Sequence, residues 1–269
     1  MCELLALNFN KPIQPKFSFP SLLLGCDWNP DGWGIGYHPD GKGAVVFKEP
    51  VPGNESELAA FLQHSHLLKS ETFILHIRRA SRGMVSYENT HPFFRHYCGT
   101  EMIFAHNGTL VTRTPLNINY QVIGNTDSEQ AFCTLLGEME KKDIIPRRRG
   151  GLQYFSDENL EKIYEILFDI NRHGAFNCIF SDGFNLFAYR DKKGARDLHY
   201  VKREYPFSSC RFRDSDIGVD LNVHKGSDES GYIIASNPLS DEEWEEFNPG
   251  QMIVFSRGKQ VASILSEVA

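Results

Sequence analysis

The second residue of the chain is a cysteine, Cys2. Initiator Met1 is expected to be removed before so small a residue, and one residue then carries both a thiol and a free α-amine. The two groups ordinarily titrate near ~8.5 and ~8, so at neutral pH the amine can take the thiol proton and release a nucleophile. A thiolate attacking an amide carbon builds negative charge on the carbonyl oxygen. Fixed donors in a water-poor place stabilise that charge by roughly 3–4 kcal/mol each. His106-Asn107-Gly108-Thr109 offers two of them from what reads as a tight turn. They are the Asn107 side-chain amide and the Gly108 backbone N–H, where glycine allows close backbone approach.

Three further clusters have usable chemistry: Asp31-Gly32-Trp33-Gly34, His76-Ile77-Arg78-Arg79-Ala80-Ser81 and Asn125-Thr126-Asp127-Ser128-Glu129. Arg78 suits a carboxylate through a planar two-point contact. Asp127 suits an ammonium. Together they match the two charges of an α-amino acid head. Taken singly, each has a plain structural reading: packing glycines, a solvated arginine, an acid favourable to a helix dipole. His76 and His106 flank the motifs and read as core or supporting residues rather than proton carriers. His64 and His66 point apart on a helix, with no cysteine or carboxylate beside them, so no metal is expected. No phosphate-loop or dinucleotide pattern is present, and no cofactor is expected.

The elements that must position these residues follow from apolar spacing. Residues 2–9 read as a strand, and 10–20 as a loop with three prolines. Residues 31–48 read as a strand, a Pro-Asp-Gly-Lys turn and a second strand. Helices are expected over 55–68, 126–139 and 156–170, the second opened by a Thr126/Glu129 capping box. Strands are expected over 72–77, 102–105, 176–180, 185–189, 232–236 and 252–255, with 83–97 irregular. Grouped strands joined by short turns favour an α+β fold of antiparallel sheets with segregated helices, in one domain spanning 2–269.

Composition narrows the partners. The chain has 269 residues, 41% apolar and 23% charged, with a net charge of -7. That balance argues against nucleic acid or an anionic membrane as a main partner. The Arg147-Arg148-Arg149 run reads as a solvated loop. Six cysteines are scattered without framework spacing, which suggests reduced thiols in a cytoplasmic protein, the five beyond Cys2 being buried. There is no secretory signal pattern and no apolar run long enough to span a membrane.

In this order behind Cys2, the clusters His76-x-Arg78, His106-Asn107-Gly108 and Thr126-Asp127-Ser128-Glu129 resemble the class II glutamine amidotransferases, which are N-terminal nucleophile hydrolases. Ala235-Ser236-Asn237-Pro238-Leu239, then Trp244 and Pro249-Gly250, resemble their stand-alone YafJ-type branch. The resemblance implies a four-layer αββα sandwich of two antiparallel sheets between helices. It implies Cys2 as nucleophile and, through its amine, as base. Asn107 and Gly108 would form the oxyanion hole, Arg78 would hold the glutamyl carboxylate, Asp127 its amino group, and Ser81 would add a hydrogen bond. The activity implied is cleavage of the γ-amide of glutamine or a γ-glutamyl compound through a thioester. Synthetase-type members carry an Arg-Gly pair just before the Asp corresponding to Asp31, where this chain has Trp28-Asn29-Pro30. No second domain is expected to receive ammonia, so any acceptor enzyme would be a separate subunit. The competing reading is a non-catalytic γ-glutamyl sensor, or a glutaminase subunit active only beside a synthetase partner.

Overall fold

A computed structural model describes residues 2–16, 18–111, 119–207, 209–211, 218–220 and 226–265. Its frame is a pair of antiparallel sheets. The first holds seven strands in the order Glu245–Glu246, His199–Arg203, Gly231–Ala235, Glu3–Ile13, Ser70–Ile77, Trp33–Tyr37 and Val45–Glu49. The second holds six, in the order Lys259–Ile264, Met252–Ser256, Leu186–Tyr189, Gly174–Ser181, Thr100–Leu110 and Phe93–Tyr97.

Side chains alternate across a strand, so the central strands of each sheet feed two cores. Along the first strand Leu5, Leu7 and Phe9 face outward, beneath Phe19, Leu22 and Leu23 of helix Ser18–Leu23 and Ala59 and Leu62 of helix Glu57–His64. Leu4 and Ala6 face inward, against Ile103, Ala105 and Ile179 of the second sheet. The outer face of that second sheet presents Phe104, Phe176, Phe180 and Phe187 to helices Asp127–Lys141 and Asp157–Ile170. Helix, sheet, sheet and helix make the four layers expected from the resemblance. Each fully buried Leu or Phe in these cores contributes about 1.5–3 kcal/mol.

Several elements differ from the sequence reading, each for a local reason. The first strand runs through Pro12 to Ile13, because an irregular register between Asn8 and Ile13 carries the chain past the proline. Residues 93–97 form a strand rather than continuing the irregular stretch. Arg147–Arg149 is one arm of a hairpin with Leu152–Tyr154, turned by Gly150 and Gly151 at φ 59° and 79°. This is the two-residue turn in which both central positions need positive φ. Among the cysteines, Cys98 is exposed rather than buried.

The longest helix shows how an expected cap becomes a tertiary brace. The Thr126 hydroxyl accepts the Glu129 N–H at 3.2 Å, as a helix N-cap should. Glu129 does not return the bond to Thr126. Its buried carboxylate accepts the N–H groups of Ile123 (3.0 Å) and Gly124 (2.8 Å) and pairs with Arg95. Glu129→Ala would leave those donors and a largely buried guanidinium unmatched. It is expected to destabilise the fold by roughly 3 kcal/mol, read as a lower urea midpoint.

Candidate active site

Cys2 sits where the first strand leaves the sheet, and its neighbours on both sides set the site. On one side, Glu3 is in register with Ile77, so the chain turns away at Arg78 just beside Cys2. The Cys2 thiol is held by the Arg79 backbone, accepting its N–H at 3.1 Å and donating to its carbonyl at 3.0 Å. Asp31 shapes this turn. Its carboxylate accepts the Ala80 N–H at 2.8 Å, and its backbone N–H donates to the Arg78 carbonyl at 3.0 Å. Asp31 was part of a motif whose role the sequence left open, and it is a positioning residue.

Arg78 is 3% exposed. Its guanidinium donates to the carbonyls of Arg82 (3.2 Å) and Asp31 (3.5 Å) and, among the described residues, pairs with no carboxylate. Burial pulls its pKa down, while the charges of Cys2, Asp31 and Asp127 oppose that shift. A buried guanidinium left without a carboxylate is costly to hold in the folded chain.

The Asn107-Gly108 pair is not a turn. Residues 106–108 lie inside strand Thr100–Leu110, in register with Cys178, Asn177 and Phe176. Gly108 has φ +140°, and a Cβ there would stand 2.0 Å from the Ala175 carbonyl oxygen. Only glycine fits. On its other edge the strand pairs with Phe93–Tyr97 no further than Phe104. Val111 donates to the His173 carbonyl across the ladder, whereas Leu110 donates outward to the Asp127 carboxylate at 2.6 Å. Alternation therefore directs the Gly108 N–H outward as well, off the open edge and toward the side of Asp127.

The Asn107 side-chain amide donates to the Cys2 carbonyl at 2.7 Å and to the Ser236 hydroxyl at 3.1 Å. Ser236 also accepts the Leu4 N–H at 2.8 Å. Both donor hydrogens of Asn107 are thus engaged, one on the Cys2 backbone and one on Ser236. Ser236 is a second positioning residue that the sequence did not assign, and its only sequence signal was its place in Ala235-Ser236-Asn237-Pro238.

Asp127 opens its helix and accepts the N–H groups of Leu110 and Ser128. Ser81 is exposed, with its hydroxyl 3.1 Å from that of Thr109. His106 bonds to the Ser128 hydroxyl at 2.9 Å and lies on the helix side of its sheet. The His76 ring lies 4.2 Å from that of His91, tilted by 43°, and burial takes His76 down to about 3. Both of those rings are neutral at pH 7 and fit the expected core role. Burial raises the Cys2 thiol above its ordinary value, opposed by the Arg79 N–H and by the charges of Arg78 and Arg196. A thiol so placed stays protonated near neutrality and needs a base. A cleft of about 430 Å³ lies beside the same strand end, lined in part by Glu3, Leu24, Asp27, Trp28 and Pro238. Among the described residues, no three His, Cys, Asp or Glu side chains group as a metal site.

Two antiparallel sheets between helical layers form the fold of the N-terminal nucleophile hydrolases. The chain matches the profile of class II glutamine amidotransferases over residues 1–269, and it belongs to that family. YafJ of Escherichia coli K12 is 35% identical over 266 residues, which cover 97% of this chain and 100% of YafJ. A crystal structure from Pseudomonas aeruginosa PA01, described as a predicted glutamine amidotransferase, is similar at 29% identity and a TM-score of 0.70. It covers 97% of this chain and 100% of that one. Glutamine phosphoribosylpyrophosphate amidotransferase from B. subtilis shares the fold at 19% identity and a TM-score of 0.61. The match covers 98% of this chain but 49% of that one.

Proposed function

We propose that this chain is a cysteine amidohydrolase acting on the side-chain amide of glutamine or of a γ-glutamyl compound, with Cys2 as nucleophile after loss of Met1. The observation that carries the reading is a linked pair of opposite charges: a buried Arg78 guanidinium without a carboxylate partner, whose charge acts on the Cys2 thiol, and the Asp127 carboxylate, whose charge acts on Arg78. Arg78 takes the α-carboxylate of the glutamyl head and Asp127 its ammonium, with Ser81 a further hydrogen-bonding group. This sets the γ-carbonyl against Sγ.

The α-amine of Cys2 takes the thiol proton, and Sγ bonds to the γ-carbon. The developing oxyanion is met by the Gly108 N–H and the Asn107 amide, for which it competes with the Cys2 carbonyl. The α-ammonium returns its proton to the leaving nitrogen as the carbon–nitrogen bond breaks. Water then cleaves the γ-glutamyl thioester, giving glutamate and the free thiol. The residues assigned here need no metal or cofactor, and the chain is read as one domain that works in the cytoplasm.

A subunit that acts only beside an acceptor enzyme is the second reading. It is favoured by the exposed Met84, Val85 and Tyr87 on the loop that follows Ser81. The test is glutamate release by the purified chain from glutamine and several γ-glutamyl peptides, alongside mass spectrometry after a glutamine-like electrophile. Release and a mass increase on Cys2 are expected. No release from any substrate, with Cys2 unlabelled, would overturn the amidohydrolase reading of the isolated chain and favour the subunit or a sensor.

A further inference from the structure

The first sheet places Cys2 between two arginines. Arg78 ends the strand on one side of Glu3–Ile13. On the other side, Leu5 is in register with Ala235, and Ala235 with His199, so the chain that leads into His199 arrives at the same end as Cys2. Arg196 lies in that segment.

The loop holding Arg196 is braced at every turn. Asn177, cross-strand partner of Asn107 and fully buried, accepts the Asp191 N–H at 2.7 Å and donates to the Asp197 carbonyl at 3.0 Å. One amide beside the oxyanion residue thus pins both ends of the loop. Asp191 accepts the N–H groups of Lys193 (2.9 Å) and Ala195 (3.0 Å). The Arg190 side chain donates to the Arg196 carbonyl at 3.2 Å and engages the Asp197 carboxylate at 2.9 Å, so the acid adjacent in sequence to Arg196 is already partnered. The half-buried Arg196 guanidinium has no ion pair or hydrogen bond among the described residues. Its charge nonetheless reaches the Cys2 thiol, where it opposes the rise caused by burial, and the His106 ring, where it adds to the lowering caused by burial.

We infer that Arg196 binds a carboxylate on the leaving amine, which makes γ-glutamyl amino acids or peptides better substrates than glutamine. This rests on the amidohydrolase reading. The glutamyl head already has an opposite charge for each of its groups on the Arg78 and Asp127 side. Glutamine's leaving group is ammonia, which offers a second guanidinium nothing to hold. An amino acid joined through its nitrogen carries a carboxylate a few ångströms beyond the scissile bond, on the flank from which Arg196 arrives. Arg196 would then determine specificity without taking part in bond making.

The test compares three substrates: glutamine, γ-glutamyl-alanine and γ-glutamyl-alaninamide, the last lacking the carboxylate charge. Arg196→Gln should lower kcat/KM for γ-glutamyl-alanine by about 10- to 100-fold, mainly through KM, as expected for losing a charge-assisted contact. The loss should be confined to that substrate, with the other two changing by less than about 3-fold. Arg196→Lys keeps the charge without the planar fork and should fall between. Equal losses on all three substrates, or none on any, would overturn the assignment while leaving the amidohydrolase standing. A wild-type chain that releases glutamate from none of them would overturn both.

Discussion

Cys2→Ala is expected to abolish glutamate release, a fall of at least about 10⁴-fold in kcat/KM, because nothing else in the site can form the thioester. The fold should survive, since the thiol's bonds are to the Arg79 backbone at the sheet's end and lie outside the packed cores. An unchanged melting temperature would establish that. Retaining Met1, for example with a bulky residue inserted before Cys2, should be nearly as damaging while leaving the thiol in place. It would convert the base into an amide. The pH dependence follows with a definite sign. The thiol is raised by burial and stays protonated near neutrality, so the amine must be neutral to remove its proton. Activity should therefore rise with pH as the amine loses its proton, which an ordinary α-amine does near ~8. Substantial turnover by Cys2→Ala, or a rate that falls as pH rises from 6 to 8, would sink the mechanism.

What the sequence disclosed and what it hid divide along contact distance. Thr126 as a helix cap, the apolar faces of the 127–141 and 157–170 helices, and Arg78 at a strand end all depend on neighbours a few residues away. These were legible. The Asn107-Gly108 pair reads as a turn because that is its local preference, whereas the positive φ of Gly108 serves close passage against Ala175 within a ladder. Ser236 meets Asn107 across 129 residues of sequence, and Asp31 meets Ala80 across 49. No periodicity encodes either contact. Arg196 was invisible for a different reason. In sequence it is one of several cations between Arg190 and Arg203, and only the Asn177 and Arg190 braces distinguish it from solvated neighbours.

Arg78→Met should separate stability from function in opposite directions. A buried guanidinium with no carboxylate partner is held in place at a desolvation cost, and a side chain of similar reach without the charge removes that cost. The carbonyls of Asp31 and Arg82 lose long donors, at 3.5 and 3.2 Å, which is a small penalty. The melting temperature should therefore stay the same or rise by a few degrees. Binding should fall sharply, because a two-point contact between guanidinium and carboxylate amounts to about 3–4 kcal/mol, or roughly 10²- to 10³-fold in KM. Asp127→Asn should weaken binding less, since the amide can still accept the Leu110 N–H, and its effect should vanish on a substrate analogue lacking the α-amino group. A stabilised protein that has lost affinity for the glutamyl head would mean that Arg78 is kept for the substrate at the fold's expense. A destabilised protein with unchanged KM would instead make Arg78 a brace of the 78–82 turn, and the carboxylate would have to be held elsewhere.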